Sequence, residues 1–100
     1  MIRHIVMFKL KEFAHETEKL AAILELKKRL DELPLKISQI TRCEVGVDIR
    51  KLEWSYDIVL VMDFNTMDDL NTYTIHPAHQ KFIAFNKDFT IAKASADYEF

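Results

Sequence analysis

The spacing of the hydrophobic residues limits the folds open to this chain more than any other feature. It runs at two, then at three to four, then at two again, and the switches fall at definite places. From Ile2 to Leu10 alternate residues share a face. Ile2, His4, Val6, Phe8 and Leu10 lie on one side, and Arg3, Ile5, Met7 and Lys9 on the other. This reads as a strand whose faces are both apolar at the middle. From Glu16 to Leu33, the residues Leu20, Ile23, Leu24, Leu30 and Leu33 form a stripe at helical spacing. Acidic residues open that helix and Lys27-Lys28-Arg29 come late, as the helix dipole favours; Pro34 is expected to end it. Ile37 to Ile49 alternates again, and Gly46 is expected to mark a bulge or bend. After a polar loop, Arg50 to Ser55, comes the clearest strand, Tyr56 to Phe64. Tyr56, Ile58, Leu60, Met62 and Phe64 share one of its faces, and Asp57, Val59, Val61 and Asp63 the other. Asn65 or Thr66 can cap a short helix that runs to Thr74. Pro77 suits the first position of a further helix, which carries Ala78, Phe82, Phe85 and Phe89 and is expected to end near Ala92. Ala94, Ala96 and Tyr98 alternate in a last strand.

The order strand, helix, strand, strand, helix, strand is the split βαβ plan of a ferredoxin-like α+β domain. It predicts one domain over residues 1–100, with an antiparallel four-stranded sheet and helices on one face. Strands one and three are expected side by side at the centre and parallel to each other. That register places Arg3 near Asp57 and Lys9 near Asp63, with Ile5 and Met7 beside Val59 and Val61. On the helix-facing side it pairs His4 with Ile58, Val6 with Leu60 and Phe8 with Met62. The other side keeps an apolar centre between charged ends, and helices on one face leave that centre in water. A second copy packed face to face removes it, so a homodimer is expected. An open sheet with a few exposed Val and Ile residues is the alternative.

Composition excludes several function classes. One hundred residues suit a single domain, and 49% hydrophobic with 30% charged residues is the balance of a soluble globular protein. A net charge of −2 gives no basic excess for nucleic acid. The apolar runs are too short to cross a membrane. No signal peptide is visible at Met1-Ile2-Arg3-His4, and the lone Cys43 cannot make an internal disulfide; both point to the cytoplasm. A single glycine, Gly46, excludes the glycine-rich phosphate loops of nucleotide and dinucleotide sites. His76 and His79 form a His-x-x-His pair and His4 is a third candidate, but no Cys or acidic residue is spaced to complete a zinc site. Neither a metal nor another cofactor is expected.

Three segments carry a resemblance: Arg3-His4-Ile5-Val6-Met7-Phe8-Lys9-Leu10-Lys11, Tyr56-Asp57-Ile58-Val59-Leu60, and Tyr73-Thr74-Ile75-His76-Pro77-Ala78-His79-Gln80-Lys81-Phe82. Together they resemble the stress-responsive A/B barrel (Dabb) family of the dimeric α+β barrel superfamily, over nearly the whole chain. The resemblance implies a homodimer whose two sheets form a barrel, and a link to stress response. One plant branch that looks like this sequence cyclises a linear polyketide by aldol condensation, without a cofactor. By that likeness Tyr73 and His79 carry the chemistry and His4 lines the same cavity. At Ile58 the sequence departs from that branch, which has an imidazole there.

The residue types suit such chemistry. His79 falls in the first turn after Pro77, where the helix dipole disfavours a charged imidazole, and a neutral imidazole can act as a general base. Tyr73 follows Leu70 by three and shares its inward face, where a phenol can donate to an enolate oxygen. The plain structural readings are a buried histidine bonded to backbone and a core tyrosine. The site is expected in a small cavity between helices and sheet, walled by Ile58, Leu24, Phe82 and Phe85 beside His4. Its expected ligand is a small apolar organic molecule, since Ile58 dries the wall, and the reaction is proton abstraction next to a carbonyl. Two alternatives stay open: an antibiotic-biosynthesis-type monooxygenase on the same fold, and a non-catalytic protein whose side chains fill the cavity.

Overall fold

The alternating segments form four strands and the helical segments three helices, in a computed structural model that describes residues 1–100. In chain order they are β1 (Ile2–Leu10), α1 (Glu16–Lys36), β2 (Arg42–Val47), β3 (Ile58–Phe64), α2 (Met67–Ile75), α3 (Pro77–Asn86) and β4 (Thr90–Glu99). The sheet has the order β2-β3-β1-β4, and every neighbouring pair is antiparallel. This is the ferredoxin-like α+β fold expected from the element order.

The central pair β1–β3 runs antiparallel, against the parallel pairing expected from the strand patterns. The topology explains it. With α1 between them, β1 and β2 run the same way and leave a gap, and β3 turns back from β2 to fill that gap. Arg3 therefore meets Asp63 rather than Asp57, through Nε and Nη2 at 2.8 and 3.0 Å. Lys9 does not pair with Asp63; its Nζ donates to the carbonyls of Glu53 and Ser55 at 3.1 and 3.3 Å. Asp57 instead takes Lys19 of α1 at 3.3 Å and the backbone N–H of Leu10 at 2.7 Å. The side of the sheet each residue faces is as expected. Val6 stays opposite Leu60, and Ile2, Phe8, Leu10, Ile58 and Met62 are buried under the helices.

Helix α1 runs through Pro34 to Lys36 instead of stopping at Leu33. Proline cannot bond the carbonyl four residues back, so the Leu30 carbonyl is left free. Cys43 of β2 places its Sγ 3.9 Å from that oxygen, and Ile37 N–H still bonds Leu33 at 2.9 Å. The buried side of α1 is Ala22, Ile23, Leu26, Leu30 and Leu33. Leu20 and Leu24, expected in the stripe, are each 53% exposed, because the helix turns its 23/26/30/33 line to the sheet. Gly46 lies in an unbroken ladder opposite Val59, with no bulge there, and a Cβ at Gly46 would lie 3.0 Å from Val59 Cγ1. The irregularity falls between Lys9 and Leu10, in the β1–β4 ladder. Helix α3 ends at Asn86, not near Ala92. There Asn86 is buried and accepts a hydrogen bond from the Thr90 hydroxyl at 2.6 Å, which starts β4 early. No helix is long and apolar enough to cross a membrane.

Candidate functional site

The site is built where α2 hands over to α3. Thr66 caps α2 by accepting from Asp69 N–H at 3.1 Å. The helix stops at Ile75, and His76 is extended. Its Nδ1 accepts from Ala78 N–H at 3.0 Å, so that nitrogen carries no proton; His76 is a cap for α3. Pro77 occupies the first turn of α3 without losing a bond.

His79 faces the other way along this junction. Its Nδ1 lies 2.9 Å from the carbonyl of Thr74, which also accepts from Gln80 Nε2 at 2.8 Å. A carbonyl only accepts, so Nδ1 of His79 is the protonated nitrogen. Burial holds the imidazole below its ordinary pKa; the Thr74 bond opposes this, and the nearby charges of His4 and Lys93 add to the lowering. The neutral ring therefore keeps a free lone pair on Nε2, as a general base requires.

Tyr73 is 1% exposed, on the inward side of α2 with Leu70. Its ring centroid lies 4.2 Å from that of His79, 5.9 Å from that of His4 and 5.3 Å from that of Phe64. Burial pushes the phenol well above its ordinary pKa, so the hydroxyl remains a donor across the physiological range. His4 comes from β1, opposite Met62 on one side and Asp97 on the other. Its Nδ1 is bonded to the Asp97 carboxylate, which orients the ring. Asp97 is the polar partner that the sequence pattern missed. It lies on an exposed edge strand without a hydrophobic rhythm, and only its register against β1 reveals it.

Tyr73, His79 and His4 thus come together. The other four expected wall residues do not all join them. Ile58 lies opposite Phe8, four residues from Met62 along β3, or about 13 Å at strand spacing. The antiparallel register is the reason, and Met62 and Phe64 take its place beside His4. Ile58, expected to dry the wall of an apolar ligand's cavity, thus lies away from His4. Leu24 lies on the exposed flank of α1. Phe82 packs on Phe8 at 6.0 Å, and Phe85 packs at a tilt on Phe89 at 5.0 Å, beneath the Arg29 guanidinium at 3.6 Å.

Two surface clefts lie away from these rings. One of about 470 Å³ runs between α1 and α3, past Arg29, Lys36 and Lys81. Another of about 720 Å³ lies between the start of α1 and the β2–β3 loop, past Lys19, Ile49 and Leu52. Both are charged surface furrows, and the chemistry-bearing side chains gather elsewhere. No three His, Cys, Asp or Glu side chains gather as a metal site. Nδ1 of His76 and Nδ1 of His79 are each committed to the backbone.

Residues 2–100 match the model of the stress responsive A/B barrel domain family, Dabb. The chain belongs to the Dabb family. An uncharacterised protein of Streptomyces coelicolor is 32% identical to this Dabb chain over 100 residues, the full length of both. A dimeric protein of unknown function with a ferredoxin-like fold, from Bacteroides fragilis, is 33% identical, with a TM-score of 0.88 over 99% of this chain and 95% of that one. A dimeric ferredoxin-like protein of unknown function from Thermobifida fusca is 21% identical, with a TM-score of 0.82 over 99% and 90% of the two chains. Two more distant chains share the fold alone. They are a hydroxynitrile lyase from Passiflora edulis (14% identical, TM-score 0.75, over 97% and 90%) and an antibiotic biosynthesis monooxygenase (13%, 0.75, over 100% and 98%). A lyase and a monooxygenase on one fold mean that the fold alone chooses no chemistry; the side chains must.

Proposed function

We propose that this Dabb protein is a homodimer in which Tyr73 and His79, with His4 beside them, form a cofactor-free acid–base site for a small organic carbonyl compound. The observation that carries the reading is the close, tilted packing of the Tyr73 phenol on the His79 imidazole, whose Nδ1–H is already engaged in a hydrogen bond to Thr74. Nε2 of His79 takes a proton from the carbon next to the carbonyl. The C–H electron pair forms a C=C bond to the carbonyl carbon, the carbonyl π pair moves onto oxygen, and the Tyr73 hydroxyl donates a hydrogen bond to the enolate so formed. The enolate then attacks an electrophilic carbon or recovers the proton from His79. His4, steadied by Asp97, lines the same space.

The dimer reading rests on the far side of the sheet. There Ile5 faces Val61 and Met7 faces Val59, and Met7 is 37% exposed. Ala94 and Ala96 of β4 extend the strip. A row with Arg42, Asp63, Arg3 and Tyr98 borders one end, and Lys9 marks the other. Similar chains from Bacteroides fragilis and Thermobifida fusca are described as dimeric.

Both halves are testable. Sedimentation of the unaltered protein at micromolar concentration should give a dimer. Val59→Lys should give a monomer, since an unpaired charge buried at the interface costs about 3–5 kcal/mol; an unaltered chain that sediments as a monomer ends the dimer reading. For the chemistry, phenylacetone in D₂O should exchange its benzylic protons faster with the protein than in buffer. His79→Ala should lower that acceleration about 10²–10⁴-fold, the scale of general base loss. Exchange that His79→Ala leaves unchanged means the imidazole is packing, and the non-catalytic reading then holds.

A further inference from the structure

We propose that the molecule bound at this site carries a carboxylate next to or near its reacting carbonyl, and that Lys93 holds that carboxylate. This rests on the acid–base reading of Tyr73 and His79 and adds the substrate class to it.

The helix-facing side of β4 is the starting point. Cross-strand partners point to the same side of a sheet, so Lys93, Ser95 and Asp97 share the side of Phe8, Val6 and His4. The helices pack on β2 and β3 and against one another, with no substantial packing on β4. Lys93, Ser95 and Asp97 accordingly remain exposed, although they stand on the helix side. They form a polar, exposed row along β4, beside the helix-facing row of β1.

Lys93 sits at one end of that row and the His4–Asp97 pair at the other, about 13 Å apart at strand spacing. Lys93 lies opposite Phe8; Phe8 packs on Phe82 at 6.0 Å; and Phe82 follows His79 by one helical turn. Lys93 thus stands beside the β1 residue on which α3 packs one turn after His79, and its charge adds to the lowering of that imidazole.

Charge then decides the ligand. Asp97 is committed to His4. His79 is held neutral by burial, and the phenol of Tyr73 stays protonated. The other cations of α3 point elsewhere: Lys81 lines the furrow between α1 and α3, and Lys87 lies in the exposed turn beyond the helix. The carboxylates that form ion pairs in this protein are taken by Arg3, His4, His15, Lys19, Lys27, Arg29 and Arg42, and none by Lys93. One unpaired positive charge therefore stands on the helix side of β4, where the reacting groups are neutral. It attracts an anionic group to the α3 end and leaves the carbonyl end to Tyr73, His79 and His4. The Asp97 carboxylate disfavours the reverse orientation. A bound carboxylate would also cancel the Lys93 charge felt by His79 and make the base stronger when substrate is present.

Phenylpyruvate and phenylacetone separate this inference from the reading beneath it. Both have a benzylic CH₂ beside a ketone, and only the first carries a carboxylate. Deuterium exchange of phenylpyruvate should show a kcat/KM about tenfold lower in Lys93→Met, with Lys93→Arg restoring most of it, whereas phenylacetone exchange should show no such fall. In parallel, the His79 ring signals in NMR should titrate at higher pH with phenylpyruvate than with phenylacetone. Exchange of phenylacetone that depends on His79, with phenylpyruvate indifferent to Lys93→Met, overturns the carboxylate assignment and leaves the acid–base reading standing. No His79-dependent exchange of either compound, with phenylpyruvate still bound through Lys93 in the NMR titration, overturns the acid–base reading and keeps the anion site. No exchange and no Lys93-dependent binding removes both.

Discussion

The helix-facing side of the sheet has two unlike halves. Over β2 and β3, α1 seals the surface: Val45, Leu60, Met62 and Leu30 are buried, and the rows of both elements are apolar. Over β4 no helix settles, and the same side presents Lys93, Ser95 and Asp97 to water. Tyr73, His79 and His4 lie along the seam, each touching the core while two of the three keep partial exposure. The contrast shows a division of labour in 100 residues. Burial in one half contributes the stability, at roughly 25 cal/mol per Å² of apolar surface. The other half keeps polar groups within reach of a solute.

Cutting into the sealed half should have the largest effect. Leu30 is 0% exposed, and Leu30→Ala should lower the unfolding free energy by about 2–5 kcal/mol in urea denaturation. The His79 ring signals should hold their positions under native conditions. A loss below about 1 kcal/mol would mean that the α1 half does not store the stability.

Tyr73→Phe sharpens the contrast from the seam. It keeps the ring contacts with His79, His4 and Phe64 and removes one hydroxyl. Stability should move by no more than about 1 kcal/mol, while benzylic exchange of phenylacetone should fall about 10²-fold. A variant that loses stability and keeps its rate would assign Tyr73 to the sealed half.

The smallest effect is in pH. His79 has a pKa below its ordinary 6.5 in the folded protein, so the unfolded chain takes up this proton first as pH falls. Stability from this group is complete above about 6.5 and drains away as pH drops toward the lower native value. Denaturant midpoints measured across that window should fall with acid, and His79→Gln should flatten this slope. A slope unchanged by His79→Gln would place the imidazole in water, outside the seam.

Much of this was legible along the chain. Thr66 as a cap, Pro77 at a helix start, and the outward strip of Ile5, Met7, Val59 and Val61 follow from local chemistry and alternation. Tyr73 and His79 were readable because each sits in a short helix whose ends are marked. Pro34 misled: a helix continues past a proline when the freed carbonyl finds another neighbour, and Cys43 comes from a strand that local spacing cannot place. Asp97 and Lys93 stayed hidden because an exposed edge strand has no apolar rhythm to set its register.

By itself, the sequence determined which residues share a face. A period of two or of 3.6 is a property of the backbone and survives any arrangement of the elements. Strand direction was beyond it. The apolar pattern of β1 and β3 reads the same in either direction about Val6 and Leu60, and Arg3 and Lys9 stand at equal distances from that centre, as do Asp57 and Asp63. A reversed strand keeps every face and exchanges the ends. Only the tertiary structure broke that symmetry, because α1 returns the chain so that β2 runs with β1 and leaves β3 to fill the gap between them in the opposite sense. That choice set Met62 rather than Ile58 beside His4, and with it the surroundings of the site.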